Sequence, residues 1–329
     1  MRIQTRQKGE LMSLAESDAQ VIAFRDQVQK QRGITDPSNS YENKKKSKRE
    51  RLENGLLLYT DLPYESKYPN AFFDIWYTEE PTEQKPTILY FHGGGCLFGD
   101  KMEGDPLAKG EASESITRKA LVQKGYNIVS ANYAFAPEYR FPVQLIQVNE
   151  LVTHLKKHAK ELGLSMEDVI VMGSSAGADL TEIYGLIVSN PAYAKRIGIQ
   201  PAITPANIRG LVIDEAALDM KRLKPGIGTM AESWLGTDDL VHSEAARLAS
   251  AADHVTRDYP RAFINTSNQM DCFIESAEEL KKSLDALGVE NVLFYRPAAE
   301  VELHHGFLSG LEINQTAKEC FDEIIAFLG

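Results

Sequence analysis

The sequence predicts an α/β fold: a mostly parallel central sheet with helices on both faces and a helical cap. Two observations carry that expectation. From residue 55 to the C-terminus, short apolar runs alternate with helix-patterned segments, the arrangement of a parallel sheet covered on both sides. Two stretches, 1–54 and about 217–260, break the alternation, and an insertion beyond the carboxyl end of a parallel strand lies over the ligand crevice. The 329 residues are therefore divided into an N-terminal helical cap segment, 1–54, and a main domain, 55–329, with a cap insertion at about 217–260.

Taken in order, residues 10–30 place Leu11, Leu14, Ala15, Val21, Ile22 and Val28 at near-helical spacing. Gly33 and Asp36-Pro37 end that helix in a turn. The basic run Lys44-Lys45-Lys46-Ser47-Lys48-Arg49 is flanked by Glu42, Glu50 and Glu53, so it reads as a solvated helix face rather than a nucleic-acid patch. Strands are expected at 56–59, 72–77, 87–91 (TILYF), 127–133 (NIVSANY), 168–172 (DVIVM), 211–213, 262–266 and 292–295. Helices are expected at 145–162 and 176–188.

Composition narrows the function classes. The chain is 43% hydrophobic with a net charge of −11, which disfavours nucleic-acid binding, since phosphate contacts need clustered Lys and Arg. Cys96, Cys272 and Cys320 are too few for a disulfide framework and lack zinc-finger spacing. The charged N-terminus has no secretory apolar stretch, and no run of about 18 apolar residues spans a membrane. The expectation is a cytoplasmic protein with no metal or organic cofactor, compatible with a homodimer.

The chemistry starts at Gly173-Ser174-Ser175-Ala176-Gly177, between the run DVIVM and a helical segment. A serine at that strand-to-helix turn holds its hydroxyl above the sheet, and flanking glycines avoid collision with neighbouring backbone. The helix N-terminus behind it favours a developing oxyanion. His92-Gly93-Gly94-Gly95 follows the strand TILYF; its glycine N–H groups, with that of Ala176, would hold that oxyanion. His92 itself is expected to hold the loop. A nucleophilic serine needs a base and an orienting acid, in the chain order serine, acid, histidine. His304 and His305 follow the last expected strand, whereas His242 and His254 lie in the lid stretch as surface residues. For the acid, the loop after 262–266 offers Asp271, with Glu275 next in line.

These residues together resemble the hormone-sensitive-lipase-like branch of the α/β-hydrolases, of the bacterial acetyl-esterase and carboxylesterase type, from about residue 55 onward. The branch's HGGG is His92–Gly95, and its Y-R-L-A-P-E-x-x-F-P is matched by the stretch from Tyr133 to Pro142. G-D-S-A-G-G is matched from Gly173 to Ala178, D-P-L by Asp271-Cys272-Phe273, and H-G-F by His305-Gly306-Phe307. The resemblance implies an α/β-hydrolase catalytic domain acting on a small-molecule ester, with a cap built partly from the N-terminal segment. It implies Ser175, Asp271 and His305 as the catalytic triad, selects His305 over His304, and makes Gly94, Gly95 and Ala176 the oxyanion donors. Four departures stand out: Ser174 for Asp, Ala178 for Gly, Cys96 for an aromatic, and Asp214-Glu215 for a proline-containing turn. The expected reaction is hydrolysis of short-chain, acetyl-type esters through an acyl-enzyme. The alternatives are an amidase or aryl-formamidase on the same triad, or a non-catalytic ligand receptor. Asp214 and Glu215, if they lie at the strand's carboxyl end, argue against a large purely apolar pocket, and short acyl chains or substrates with polar groups would then be preferred. Cys96 and Cys272, if near the site, make alkylating reagents inhibitory.

Overall fold

The computed structural model describes residues 12–32, 47–52, 55–78, 80–82, 84–102, 114–217, 219–223 and 226–329. Its strands are β1 (Lys48–Arg51), β2 (Leu57–Pro63), β3 (Phe72–Tyr77), β4 (Thr87–Phe91), β5 (Asn127–Ala131), β6 (Val169–Ser174), β7 (Ile208–Asp214), β8 (Ala262–Asn265) and β9 (Asn291–Phe294). They form one sheet in the order β1-β2-β3-β5-β4-β6-β7-β8-β9. The pairings β1–β2, β2–β3 and β3–β5 are antiparallel, and every pairing from β5 across to β9 is parallel.

The helices are α1 (Leu14–Arg32), α2 (Glu114–Gln123), α3 (Val143–Leu162), α4 (Ala176–Ser189), α5 (Pro191–Ile197), α6 (Ile227–Leu235), α7 (Glu244–Ala249), α8 (Asp271–Leu287) and α9 (Gln315–Leu328). The central strands are apolar at nearly every position because both faces are covered. Successive side chains go to opposite cores. Leu89, Phe91, Val129, Val171 and Ile213 join the core that includes Leu145, Leu151 and Leu155 of α3 and Leu180 and Ile183 of α4. Ile88, Tyr90, Ile128, Ile170, Met172 and Val212 join the other, with Leu121 of α2 and Phe321 and Ile324 of α9.

The N-terminal segment carries the expected helix as α1 but departs from helical character further on. Lys48–Arg51 is not part of a helix face but the edge strand of the sheet, exposed at each position. Its charges suit that place: Arg49 and Arg51 both pair with Glu80, and a charged edge resists pairing with another chain. Lys44–Lys46, Leu11, Gly33 and Asp36-Pro37 lie outside the described residues. Between β7 and β8 stand α6, α7 and two short 3₁₀ turns.

Helix α1 is fastened to α6 from the other end of the sequence. Ser17 Oγ donates to Glu232 Oε2 at 2.7 Å, and Ser233 Oγ donates to Asp18 Oδ1 at 2.8 Å. The stretch from Tyr133 to Pro142 clasps both helices. Arg25 of α1 forks onto Glu138 at 2.8 and 2.9 Å, and Arg140 reaches Ser233 O and Asp18. Trp234 Nε1–H donates to Gln144 Oε1 at 3.0 Å. Among the described residues, no helix is long and apolar enough to cross a membrane.

Candidate active site

Strand β6 ends in a sharp turn at Ser175, whose φ of 55° and ψ of −122° lie outside the usual L-residue regions. Two contacts hold that strained backbone. Ser175 N–H donates to Asp214 O at 2.8 Å, tying the turn to the end of β7. Gly177 passes so close to β4 that an added Cβ would stand 1.9 Å from Phe91 O. Any side chain there would push α4 off the sheet and lower the serine with it.

The base arrives from the loop after β9. Ser175 Oγ lies 3.0 Å from His305 Nε2, the distance at which a hydroxyl proton passes to an imidazole. His305 is stacked on Phe273, with ring centroids 4.7 Å apart and planes 17° apart. His304 points elsewhere: it is exposed and 3.5 Å from Glu302. Of the lid histidines, exposed His242 rests on Asp239 and His254 on Arg247 O.

The carboxylate found beside His305 is not the one the sequence reading expected. His305 Nδ1 stands 2.9 Å from Glu215 Oε2, and the N–H of Gly306 donates to the same oxygen. Glu215 follows β7 directly; it is fully buried, and its φ of 64° turns its side chain back toward the histidine. Its N–H is held by Asn265 O at 2.9 Å. Its second oxygen, Oε1, is buried without a hydrogen-bond partner among the described residues. That leaves negative potential available to an imidazolium at His305. Asp271, expected as the acid, is instead the exposed first residue of α8. Glu275 sits further along the same helix, facing Arg222 at 4.0 Å. The signal that could have found Glu215 is a carboxylate pair, Asp214-Glu215, terminating an otherwise apolar strand beside the nucleophile's own.

Asp214 plays a supporting part. Asn265 Nδ2–H donates to its carboxylate, and burial, then the charge of Glu215, pushes its carboxyl well above the ordinary range. Asp214 and Glu215 both stand at the carboxyl end of β7, as the sequence reading required, but neither lines the cavity at the site. They serve the turn and the histidine instead.

The loop after β4 faces the serine from the other side. Gly94, Gly95 and Cys96 follow one another with φ of 100°, 65° and 59°, which curls the chain so that Gly94 O accepts from Leu97 N–H and Phe98 N–H. A Cβ on Gly94 would stand 2.1 Å from Phe98 O. Gly94, Gly95 and Ala176 all line the cavity with Ser175 and His305. Ala176 opens α4, where an N–H has no acceptor within the helix. His92 anchors the loop, as expected from the sequence: its ring stacks on Tyr133 at 4.4 Å and Nδ1–H donates to Gly93 O at 2.8 Å. Burial pushes its pKa down to about 4, so it stays neutral and moves no proton near pH 7. The far end of the loop is tied down by buried Lys101, paired with Asp61 at 2.9 Å and Asp74 at 3.2 Å.

The cavity has a volume of ≈ 490 Å³. Phe24 of α1, Met230 and Trp234 of α6, and Phe98 and Phe273 wall it. Cys96 also lines it, but its side chain is fully buried and burial pushes the thiol well up. Cys272 is packed against Ala217 and Phe273. Reactive cysteines are exposed thiolates, so this arrangement does not support the expected sensitivity to alkylation. Among the described residues, no cluster of His, Cys, Asp and Glu could hold a metal ion.

Residues 73–284 match the BD-FAE family model, well over half of the chain. The protein belongs to the BD-FAE family. The matched span of this BD-FAE chain takes in Gly94, Gly95, Ser175 and Glu215 and ends before His305. The acetyl esterase of Salmonella dublin is 27% identical over 232 residues, covering 66% of this chain and 66% of its own. Esterase LipC of Mycobacterium tuberculosis is 25% identical over 261 residues, covering 76% of this chain and 60% of its own. The chain thus spans just under two thirds of the length of these curated relatives. The solved structure of esterase B from Lactobacillus rhamnosis superposes with a TM-score of 0.73 at 18% identity, covering 96% of this chain and 95% of that one. The fold of the BD-FAE chain is that of an α/β-hydrolase.

Proposed function

We propose that this chain is a serine carboxylesterase that hydrolyses short-chain carboxylic esters through an acyl-enzyme. The observation that carries the reading is the continuous relay Ser175 Oγ, His305 Nε2, His305 Nδ1, Glu215 Oε2, with spacings of 3.0 and 2.9 Å. His305 takes the Ser175 proton as Oγ bonds to the ester carbonyl carbon. The N–H groups of Gly94, Gly95 and Ala176 hold the resulting oxyanion. The carbon–alkoxy bond then breaks, and the alcohol leaves with the proton from Nε2. His305 next takes a proton from water as the water oxygen bonds to the acyl carbon. Collapse of the second intermediate releases the acid and returns the proton to Ser175. Glu215 fixes the Nδ1–H tautomer and lowers the energy of the imidazolium in both steps.

A short acyl preference is supported by the cavity volume, which has to hold the acyl and alcohol halves together, and by the acetyl-esterase relatives. Helices α1 and α6, which wall that cavity, are the proposed cap. Two experiments test these points. Ser175→Ala should abolish p-nitrophenyl acetate hydrolysis while the far-ultraviolet circular dichroism stays unchanged; retained turnover would refute the assignment. Across a series of p-nitrophenyl esters, best turnover at twelve acyl carbons or longer would contradict the chain-length reading.

A further inference from the structure

Asp179 is a carboxylate in the cavity wall to which the hydrolytic relay gives no task. It lies one helical turn after the nucleophile, its N–H donating to Ser175 O at 3.0 Å, so its side chain shares the face of α4 that carries Ser175. Ala217 N–H donates to Oδ1 at 2.8 Å. The other carboxylate oxygen has no hydrogen-bond partner among the described residues, although the residue is only 9% exposed and lines the cavity. An acceptor that faces the cavity in this way can take a hydrogen bond or a charge from a guest.

Its surroundings say what kind of partner fits. Among the described residues, no lysine or arginine lines the cavity. Phe24, Phe98, Trp234 and Phe273 present aromatic rings to the same space, and such rings attract cations. Burial pushes the Asp179 carboxyl up to about 7, against the opposing pull of the Ala217 N–H and, after it, of a charge on His305. A second positive charge in the cavity would hold it ionised, whereas an anionic substrate would be repelled.

We infer that Asp179 and the aromatic wall select esters that carry a positively charged nitrogen. This inference rests on the esterase reading above and names its substrate class. The matched pair acetylthiocholine and its uncharged isostere 3,3-dimethylbutyl thioacetate tests it, with 2-hydroxyethyl thioacetate as a neutral hydrogen-bond donor. At pH 8 the native protein should favour the cation over the isostere by about tenfold or more in kcat/KM, and over the hydroxyethyl ester as well. In Asp179→Asn, which keeps an oxygen for Ala217 N–H, the cation-to-isostere ratio should fall to within about twofold of one. A native ratio near one, a preference for the hydroxyethyl ester, or an unchanged ratio in the variant would each overturn the inference. Should the variant not fold, inhibition of the native protein decides: phenyltrimethylammonium should block p-nitrophenyl acetate hydrolysis more tightly than tert-butylbenzene, and equal inhibition overturns the inference. If p-nitrophenyl acetate is hydrolysed without any cationic preference, this inference fails alone. If p-nitrophenyl acetate and all the thioesters survive intact, the esterase reading fails with it.

Discussion

The carboxyl ends of β7 and β8 lie side by side in the sheet, yet they deliver their acidic residues in opposite ways. After β7 the chain turns at once: Glu215 takes a positive φ, fixes its N–H on Asn265 O and buries its carboxylate against His305. After β8 the chain runs through Thr266–Met270 before α8 begins, and Asp271 emerges at the surface. Both orders satisfy serine, acid, histidine along the chain. What separates them is the distance travelled from the strand end, since the residue directly after a strand is still placed by the sheet through its backbone bond, here to Asn265 O. On the reading proposed above, the acid is supplied by the end of the strand next to the nucleophile's, and the segment after β8 lines the cavity through Met270 and Phe273.

The sharpest way to break this comparison is to remove each carboxylate in turn. Glu215→Gln should lower kcat by about 10³–10⁴ with the fold intact, the scale seen when a triad acid is replaced by its amide. A loss under about tenfold on p-nitrophenyl acetate would return the acid to another residue. Gly94→Ala comes next, because its Cβ has no room beside Phe98 O; a displaced oxyanion donor should cost about 10²–10³ in kcat. Trp234→Ala, which opens the α6 wall, should raise KM about tenfold while leaving kcat less affected, since it loosens binding rather than the relay. Asp271→Asn should leave kcat/KM within about threefold of the native value; a collapse there comparable to Glu215→Gln would reverse the assignment.

How much of this was readable beforehand differs by element. After their first residues, Thr87 and Asp168, the runs TILYF and DVIVM are apolar throughout because both faces are covered, so β4 and β6 could be placed from pattern alone. Ser175 was readable because its turn needs glycine on both sides. His305 followed from H-G-F. Glu215 did not, because its role depends on a backbone φ and on a neighbour 90 residues away, and neither leaves a local pattern. Asp214-Glu215 did stand out as a departure, but burial, which turned it from pocket lining into turn and histidine support, is a tertiary property. Strand β1 was missed for a related reason: its charges speak for solvent, and only pairing with β2 makes them an edge. Phe24 reaches the cavity from a helix some 150 residues before the nucleophile, a contact that no spacing predicts.

The buried carboxylates also set a pH dependence of stability. Burial raises Asp74 to about 6, against the opposing charge of Lys101, and raises Asp179 to about 7. Both carboxyls start from 3.8, so between about pH 4 and 7 the folded chain binds more protons than the unfolded one. Stability from these groups is complete below that window and is lost as pH rises through it. The urea midpoint should therefore be higher at pH 5 than at pH 8, and Asp179→Asn should flatten the difference. A midpoint that rises steadily from pH 5 to pH 8 would count against these two groups being held protonated.

The latch between α1 and α6 has a consequence for how this scaffold can change. Phe24 sits on a segment whose links to the rest, through Ser17, Asp18 and Arg25, involve none of the reacting groups. The share of selectivity that Phe24 contributes is therefore separable from reactivity. Exchanging residues 14–32 together with their clasp partners at 138 and 140 should re-tune which guests the chamber admits, while the turnover machinery beneath it is inherited unchanged.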